Sequence, residues 1–286
     1  MGREIKTIVT NISYGEGPRW HDGRLWFADF YTHQVLSVRE DGGDLRVEAV
    51  VPEQPSGLGW LPDGRLLVIS MRDAKILRRE PSGALETHAD LSAHVGGLLN
   101  DMLVDPAGRA YVGNFGFDLM HGAPLAPTAL LLVQPDGHVL VATAPDLWFP
   151  NGTVLTPDGK TLLVAESFGN RISAFGVDLH SGALGHRRDW ATFGPPPADR
   201  ELAKVQLAVM PDGCCLDSEG CIWLADSGGQ RLLRVREGGE IVEQIDIDGR
   251  TLFACSAPDF HEETRRNVRE AKILAVQVDV PRAGAP

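Results

Sequence analysis

Cysteine is scarce in this 286-residue chain, with only Cys214, Cys215, Cys221 and Cys255. Sequence neighbours rarely bridge each other, and no Cys-x-x-Cys pair exists, so neither a disulfide framework nor a thiolate zinc site is expected. The four read as small buried apolar side chains in a reducing compartment. Long apolar runs are also absent, and nothing approaches the ~20 residues of a membrane-spanning helix. The opening MGREIKTIVT has no apolar h-region, which argues against a signal peptide, and Lys6 breaks the myristoylation pattern that Gly2 would begin. A soluble cytoplasmic protein is the expectation. Positive charge is in deficit, with 27 Lys and Arg against 39 Asp and Glu, a formal net charge of −12. The acidic residues are scattered rather than blocked. That argues against a nucleic-acid partner and an anionic membrane surface and fits ordinary solubility. No Gly-x-Ser-x-Gly elbow exists, so a serine hydrolase is not expected. His21, His33, His88, His94, His121 and His138 show no metal-ligand spacing. No long apolar helix suggests an obligate protein partner; a small-molecule substrate is expected.

What the chain does have is a repeat. GPRWHDGRLWFAD, GLGWLPDGRLLVIS, DMLVDPAGRAYVGN, GTVLTPDGKTLLVAES and GCCLDSEGCIWLAD are five versions of one hairpin: an apolar strand, a tight Gly turn and a second apolar strand. After four of them further short strands follow, as in HQVLSVRED, AKILRREPSG, TALLLVQPDG and NRISAFGVD. A sixth, degenerate copy is formed by TLFACSAPDF and KILAVQVDV, separated by HEETRRNVREA, which reads as a helix turn or two with Glu262 and Arg266 four apart. Units of roughly 40–60 residues built from short antiparallel strands predict a β-propeller, and six units predict six blades. The fold class is therefore all-β, a six-bladed propeller in one domain over residues 1–286. The N-terminal EIKTIVTNI is expected to complete the last blade, since an open ring would leave sheet edges exposed.

A polar residue sits just ahead of each hairpin. These are Glu16, Ser56-Gly57, Asn100, Asn151, Asp212 and a residue near Leu252. The separation to the turn glycine is 7 residues for Glu16 to Gly23, and 8 for Asn100 to Gly108, Asn151 to Gly159 and Asp212 to Gly220. Equivalent positions in different blades thus carry Glu, Asn, Asn and Asp. The first strand of each blade lines the central channel, so these four side chains are expected to converge at one mouth. Two carboxylates with two amide oxygens suit a hard divalent cation. Calcium fits first, with magnesium, manganese or zinc as alternatives, zinc being the one that prefers His or Cys. Each residue taken alone could equally cap a turn.

The stretches GEGPRW around Glu16, NDMLVDPAGR from Asn100, PNGTVLTPDGK around Asn151 and MPDGCCLDSEGCIWLA around Asp212 resemble the senescence-marker-protein-30/gluconolactonase (regucalcin-like) family. The resemblance runs from Gly15 to about Pro258. It implies a six-bladed propeller with lactone hydrolase activity and a metal held by Glu16, Asn151 and Asp212. It also implies that Asn100 lies beside the metal, binding substrate or the ion itself, and that Asp212 is the general base. One departure stands out. Sugar lactonases of this family usually carry Arg two residues before the Asn of their Asn-Asp-Gly motif, and Leu98 stands there in this chain. The following loop, VGNFGFDLMHGAPLAPT, brings Phe115, Phe117, Leu119, Met120 and His121, and Trp148 and Phe149 precede Asn151. Leu98, Phe115, Phe117, His121, Trp148 and Phe149 are therefore expected, with Asn100, to line the substrate site, and a substrate less polar than a sugar lactone follows.

The resulting expectation is a metal-dependent lactonase or esterase. A cation polarises the carbonyl, and Asp212 acts as general base or as a nucleophile forming a covalent intermediate. PPPADRELAKVQLAVM, from Pro195 to Met210, is read as a lid or rim with one helical turn. Three rivals share the fold: a phosphotriesterase-like hydrolase using the same metal and Asp212, a lyase or isomerase acting next to a carbonyl, and a non-enzymatic calcium-binding platform.

Overall fold

The computed structural model describes residues 4–246 and 254–283. β1 (Ile5–Ile12) belongs to the last sheet. The first is built from β2 (Gly15–His21), β3 (Arg24–Asp29), β4 (Gln34–Val38) and β5 (Arg46–Val50). The second holds β6 (Pro55–Trp60), β7 (Leu66–Ser70), β8 (Lys75–Arg79) and β9 (Leu85–Asp90). The third holds β10 (Leu99–Val104), β11 (Ala110–Asn114), β12 (Leu131–Val133) and β13 (Val139–Val141). The fourth holds β14 (Pro150–Leu155), β15 (Thr161–Glu166), β16 (Arg171–Gly176) and β17 (Arg188–Thr192), and the fifth β18 (Pro211–Leu216), β19 (Ile222–Asp226), β20 (Arg231–Val235) and β21 (Ile241–Asp246). The sixth combines β22 (Ala254–Ser256) and β23 (Ala271–Val276) with β1 on its outer edge. Among the described residues this is the all-β, six-bladed propeller expected from the repeat.

Each blade is antiparallel in chain order, and the first two strands of each of the five full blades are joined by a tight turn. The turn glycine of all five full hairpins, Gly23, Gly64, Gly108, Gly159 and Gly220, has φ between 71° and 84°, the left-handed region that glycine alone enters without penalty. The apolar second strands bury between blades: Leu163, Ile172 and Val154 of the fourth sheet pack with Ile222, Leu224 and Leu233 of the fifth. The ring closes where β1 pairs β23, Ile5 opposite Val276 and Ile12 opposite Ala271. Strands from the beginning and the end of the described residues thus share one sheet, and this pairing covers the β23 edge.

Because every blade starts with its innermost strand at the same end, the connections between blades and the loops after β3, β7, β11, β15 and β19 all lie on one face. Residues 115–129 and 193–210 are the longest of these, and the insertion after β22 joins them. That insertion contains a single helical turn, α1 (Glu262–Arg265). Glu262 pairs with Arg266 as the sequence spacing suggested, and also with Arg72 of the second blade at 2.6 Å. The Tyr31 hydroxyl donates to Phe260 O at 2.8 Å, which ties the insertion to the first blade. The 193–210 connection has one short 3₁₀ turn, Leu202–Lys204. Among the described residues no helix is long and apolar enough to cross a membrane.

Candidate functional site

Glu16, Ser56, Asn100, Asn151 and Asp212 are each the second residue of an innermost strand, β2, β6, β10, β14 and β18. The sixth position, near Leu252, lies outside the described residues. Directly after each of these residues the pairing register breaks: between Glu16 and Arg19, Pro55 and Leu58, Leu99 and Met102, Pro150 and Thr153, and Pro211 and Cys214. A bulge bends its strand and re-aims the side chain beside it, and here the same bulge is repeated in five blades.

Glycine follows the site residue in four of the five: Gly17, Gly57, Gly152 and Gly213. For Gly17, Gly57 and Gly152 the reason is close approach of neighbouring blades, whereas a Cβ on Gly213 would meet nothing within 4 Å. A Cβ on Gly17 would lie 2.9 Å from Ser56 O, one on Gly57 2.6 Å from both Asp101 Oδ1 and Met102 N, and one on Gly152 2.4 Å from Asp212 O and 2.6 Å from Cys214 N. The glycine of one blade therefore rests on the backbone beside the site residue of the next, and this narrows the ring at the level of the five side chains. Gly152→Ala is expected to force β14 away from β18. Overpacking against backbone costs about 1–3 kcal/mol. Thermal unfolding should fall by roughly 5 °C, and a Tm equal to wild type would show that this approach is not tight.

Hydrogen bonds hold the two amides. Asn100 Nδ2 donates to Pro150 O at 3.3 Å. Asn151 Nδ2 donates to Ser167 Oγ at 3.2 Å, and Ser167 Oγ in turn donates to Pro211 O at 2.7 Å. A carbonyl can only accept, so it fixes the Asn100 amide with its nitrogen toward the neighbouring blade. Both Asn side chains thereby keep Oδ1 available for a ligand. Ser56 Oγ donates to Asn100 O, and the Gly17 N–H donates to Glu16 Oε2 at 3.2 Å. Ser167 was not legible as a site residue, because it follows the second strand of its hairpin and not the first.

The two carboxylates sense each other. Glu16 is held well above the usual carboxylate range, first by burial and then by the charge of Asp212. Asp212 is pushed up to about 6, mainly by burial and further by Asp101, while the Gly213 N–H and the Asn151 amide pull it down. Both side chains touch water, yet both sit inside a ring of protein, which is why burial dominates. Tyr14, two residues before Glu16, is also raised by burial and by both carboxylates. Among the described residues no three His, Cys, Asp or Glu side chains form a metal-ligand cluster. The assembled set is two carboxylates and two amides. All-oxygen donors around buried, mutually repelling carboxylates fit a hard divalent cation, which would relieve that repulsion, and do not fit zinc.

The other expected site residues divide. Phe115, Phe117 and Phe149 are buried; Phe115 stacks on Phe149 at 4.3 Å, and Phe168 contacts Phe149 at 5.2 Å and Phe117 at 6.0 Å. These rings form an apolar cluster among themselves under the 115–129 loop. Phe149 takes φ 60°, an uncommon conformation that turns the chain into Pro150-Asn151. Leu98 is half-buried against the same cluster, and its carbonyl accepts the Phe115 N–H at 2.9 Å. Trp148 is also half-buried, with the Arg200 guanidinium 5.7 Å above its ring and the Leu125 N–H bonded to Arg200 O at 2.8 Å. The 193–210 connection thus packs on the 115–129 loop as a rim. His121 is exposed and pairs with Asp118 at 2.8 Å, not with the four oxygen-bearing residues. The cysteines differ from expectation. All four are free, as expected, but only Cys221 is buried, while Cys215 is accessible from the innermost strand β18.

Residues 14–262 match the model of the SMP-30/gluconolactonase/LRE-like region. Regucalcin of Xenopus laevis is 26% identical over 267 residues, covering 91% of this chain and 85% of that protein. Pentonolactonase XacC of Haloferax volcanii is 26% identical over 262 residues, covering 88% and 77%. Among solved structures, a regucalcin of Agrobacterium tumefaciens described as a calcium-binding protein superposes with TM-score 0.76 at 20% identity, covering 100% of this chain and 97% of that one.

Proposed function

The chain belongs to the SMP-30/gluconolactonase/LRE-like family, and from that we propose that it hydrolyses a lactone or ester with the help of a divalent cation at the channel mouth. The observation that carries this reading is the placement of Glu16, Asn100, Asn151 and Asp212 at one position of four innermost strands. A platform without a cation would have no use for two enclosed carboxylates that repel each other, and a calcium-binding platform would hold the ion without turning over a substrate. Pentonolactonase XacC, by its name, acts on a lactone. The regucalcin structure is of a calcium-binding protein, which favours calcium as the ion.

When bound, the cation would polarise the substrate carbonyl as a Lewis acid. Glu16 and Asp212 would hold it through their carboxylates, with Asn100 and Asn151 contributing Oδ1. Asp212 takes the proton from the attacking water. Its ionised form is favoured at neutral pH once positive charge lies beside it. Asn151, locked by Ser167, orients Asp212 through its amide. Asn100 would donate its second Nδ2 hydrogen toward the ring oxygen or carbonyl of the substrate. Leu98 in place of arginine, with Trp148 beside it, leaves the rim less polar than a sugar-binding one, which points to a lactone or ester of lower polarity. Phosphotriester hydrolysis would use the same residues and is the second reading.

A panel of aliphatic lactones, sugar lactones, aryl esters and phosphotriesters, assayed with calcium, magnesium and manganese in turn, tests the proposal. Turnover of a lactone or ester that stops on chelation is expected. Glu16→Gln should weaken calcium binding by about tenfold or more, because affinity at such sites follows ligand charge, and excess calcium should restore part of the activity. Undiminished turnover in chelator would sink the metal-assisted reading.

A further inference from the structure

At the position that holds glycine in four other blades, Gly17, Gly57, Gly152 and Gly213, the third has Asp101. Its carboxylate accepts the Met102 N–H of its own strand through Oδ1 at 2.9 Å. It reaches back across β6 to Arg19 of β2, whose Nη2 donates to Asp101 Oδ1 at 2.8 Å, to Oδ2 at 2.7 Å and to Met102 O at 2.9 Å. The intervening strand permits the crossing because Gly57 has no side chain there. Both partners are largely buried, with 14% and 10% of their side chains exposed. Arg19 lies three residues after Glu16 on the same strand, just past the bulge, and Asp101 directly follows Asn100. The pair therefore lies beside these oxygen-bearing residues; the charge of Asp101 acts on both Glu16 and Asp212, and that of Arg19 on Glu16.

We propose that the Arg19–Asp101 pair sets the cation affinity of the channel site: Asp101 supplies a third negative charge that draws the ion, and Arg19 attenuates it. The inference rests on the cation reading above. A charge about 10 Å from a divalent ion, in surroundings far less polarisable than water, changes affinity by tenfold or more. The pair is buried, so salt screens it little. An ordinary structural ion pair would behave differently. Removing either partner would then loosen the blades and weaken the site in the same direction.

The test is calorimetric titration of calcium into the full chain and its variants. Arg19→Met is expected to bind calcium about tenfold tighter or more, and Asp101→Asn about tenfold weaker or more. The double variant should return close to wild type. Arg19→Gln, which keeps hydrogen-bond donors toward Asp101 without the charge, serves as the second uncharged variant and should also tighten. Weakening by both single variants, or no change in either, overturns the proposal while leaving the cation site standing. A wild-type chain that binds no calcium, magnesium or manganese overturns both.

Discussion

Asp212→Asn is expected to lower kcat/KM for the substrate that turns over by about 10³-fold or more. General-base catalysis by a positioned side chain contributes typically 10²–10⁴-fold, and this residue would also lose its charge as a ligand. The substitution is nearly isosteric. An amide oxygen at position 212 can still accept from the Gly213 N–H and from Asn151, so the ring of innermost strands should keep its shape. The loss should fall on kcat and persist at saturating calcium, since the missing function is proton removal. Glu16→Gln provides the contrast, because its defect should shrink as calcium is raised. Activity of Asp212→Asn within tenfold of wild type would show that another group takes the proton, and Tyr14 would be the next residue to change.

The fold was legible because the same hairpin recurs with its turn glycine in phase, and the shared strand position of the four candidate residues was legible for the same reason. Counting back from Gly23, Gly108, Gly159 and Gly220 leads to Glu16, Asn100, Asn151 and Asp212, and the structure places all four second in their strands. A propeller converts phase in sequence into proximity in space, which few folds do so directly. What escaped sequence reasoning has no phase. Ser167 locks Asn151 from the far side of the hairpin, and Arg19 meets Asp101 across an intervening strand. The aromatic residues show another limit. Strand order, and position ahead of Asn151, led to the expectation of Phe115, Phe117 and Phe149 at the mouth, but large rings close together bury one another, and only contacts distinguish a wall from a core. The bulge after each site residue was equally hidden, although the glycine that follows four of the five is its trace.

Titrating the cation-free protein should give an unusual stability profile. Asp212 has a folded pKa of about 6 against an ordinary 3.8, and Glu16 is raised further from its own ordinary value. Between about pH 4 and pH 6 the folded state therefore holds protons that the unfolded chain has released. Stability falls as pH rises through that window, by up to about 3 kcal/mol for Asp212 alone, with water in the channel screening part of it. Glu16 extends the loss to higher pH. Surface carboxylates such as Asp41, Asp63, Asp90 and Asp158 act in the opposite sense, because hydrogen bonds lower their pKa. Their contribution is nearly complete above the ordinary carboxylate value; between pH 4.5 and 6.5 the pair is opposed by His21 and His88, whose pKa values burial lowers and which add stability as pH rises, and the larger shifts of the two carboxylates set the direction. Calcium should invert the trend. It binds the ionised carboxylates, and at 100 times its Kd adds about 2.7 kcal/mol. Thermal unfolding in chelator should thus show Tm falling from pH 4.5 to 6.5, and in millimolar calcium Tm should be flat or rising, with the two curves furthest apart at the upper end. Parallel curves would mean that calcium does not sit between Glu16 and Asp212, and a Tm that rises with pH in chelator would mean that the two carboxylates are not close enough to repel.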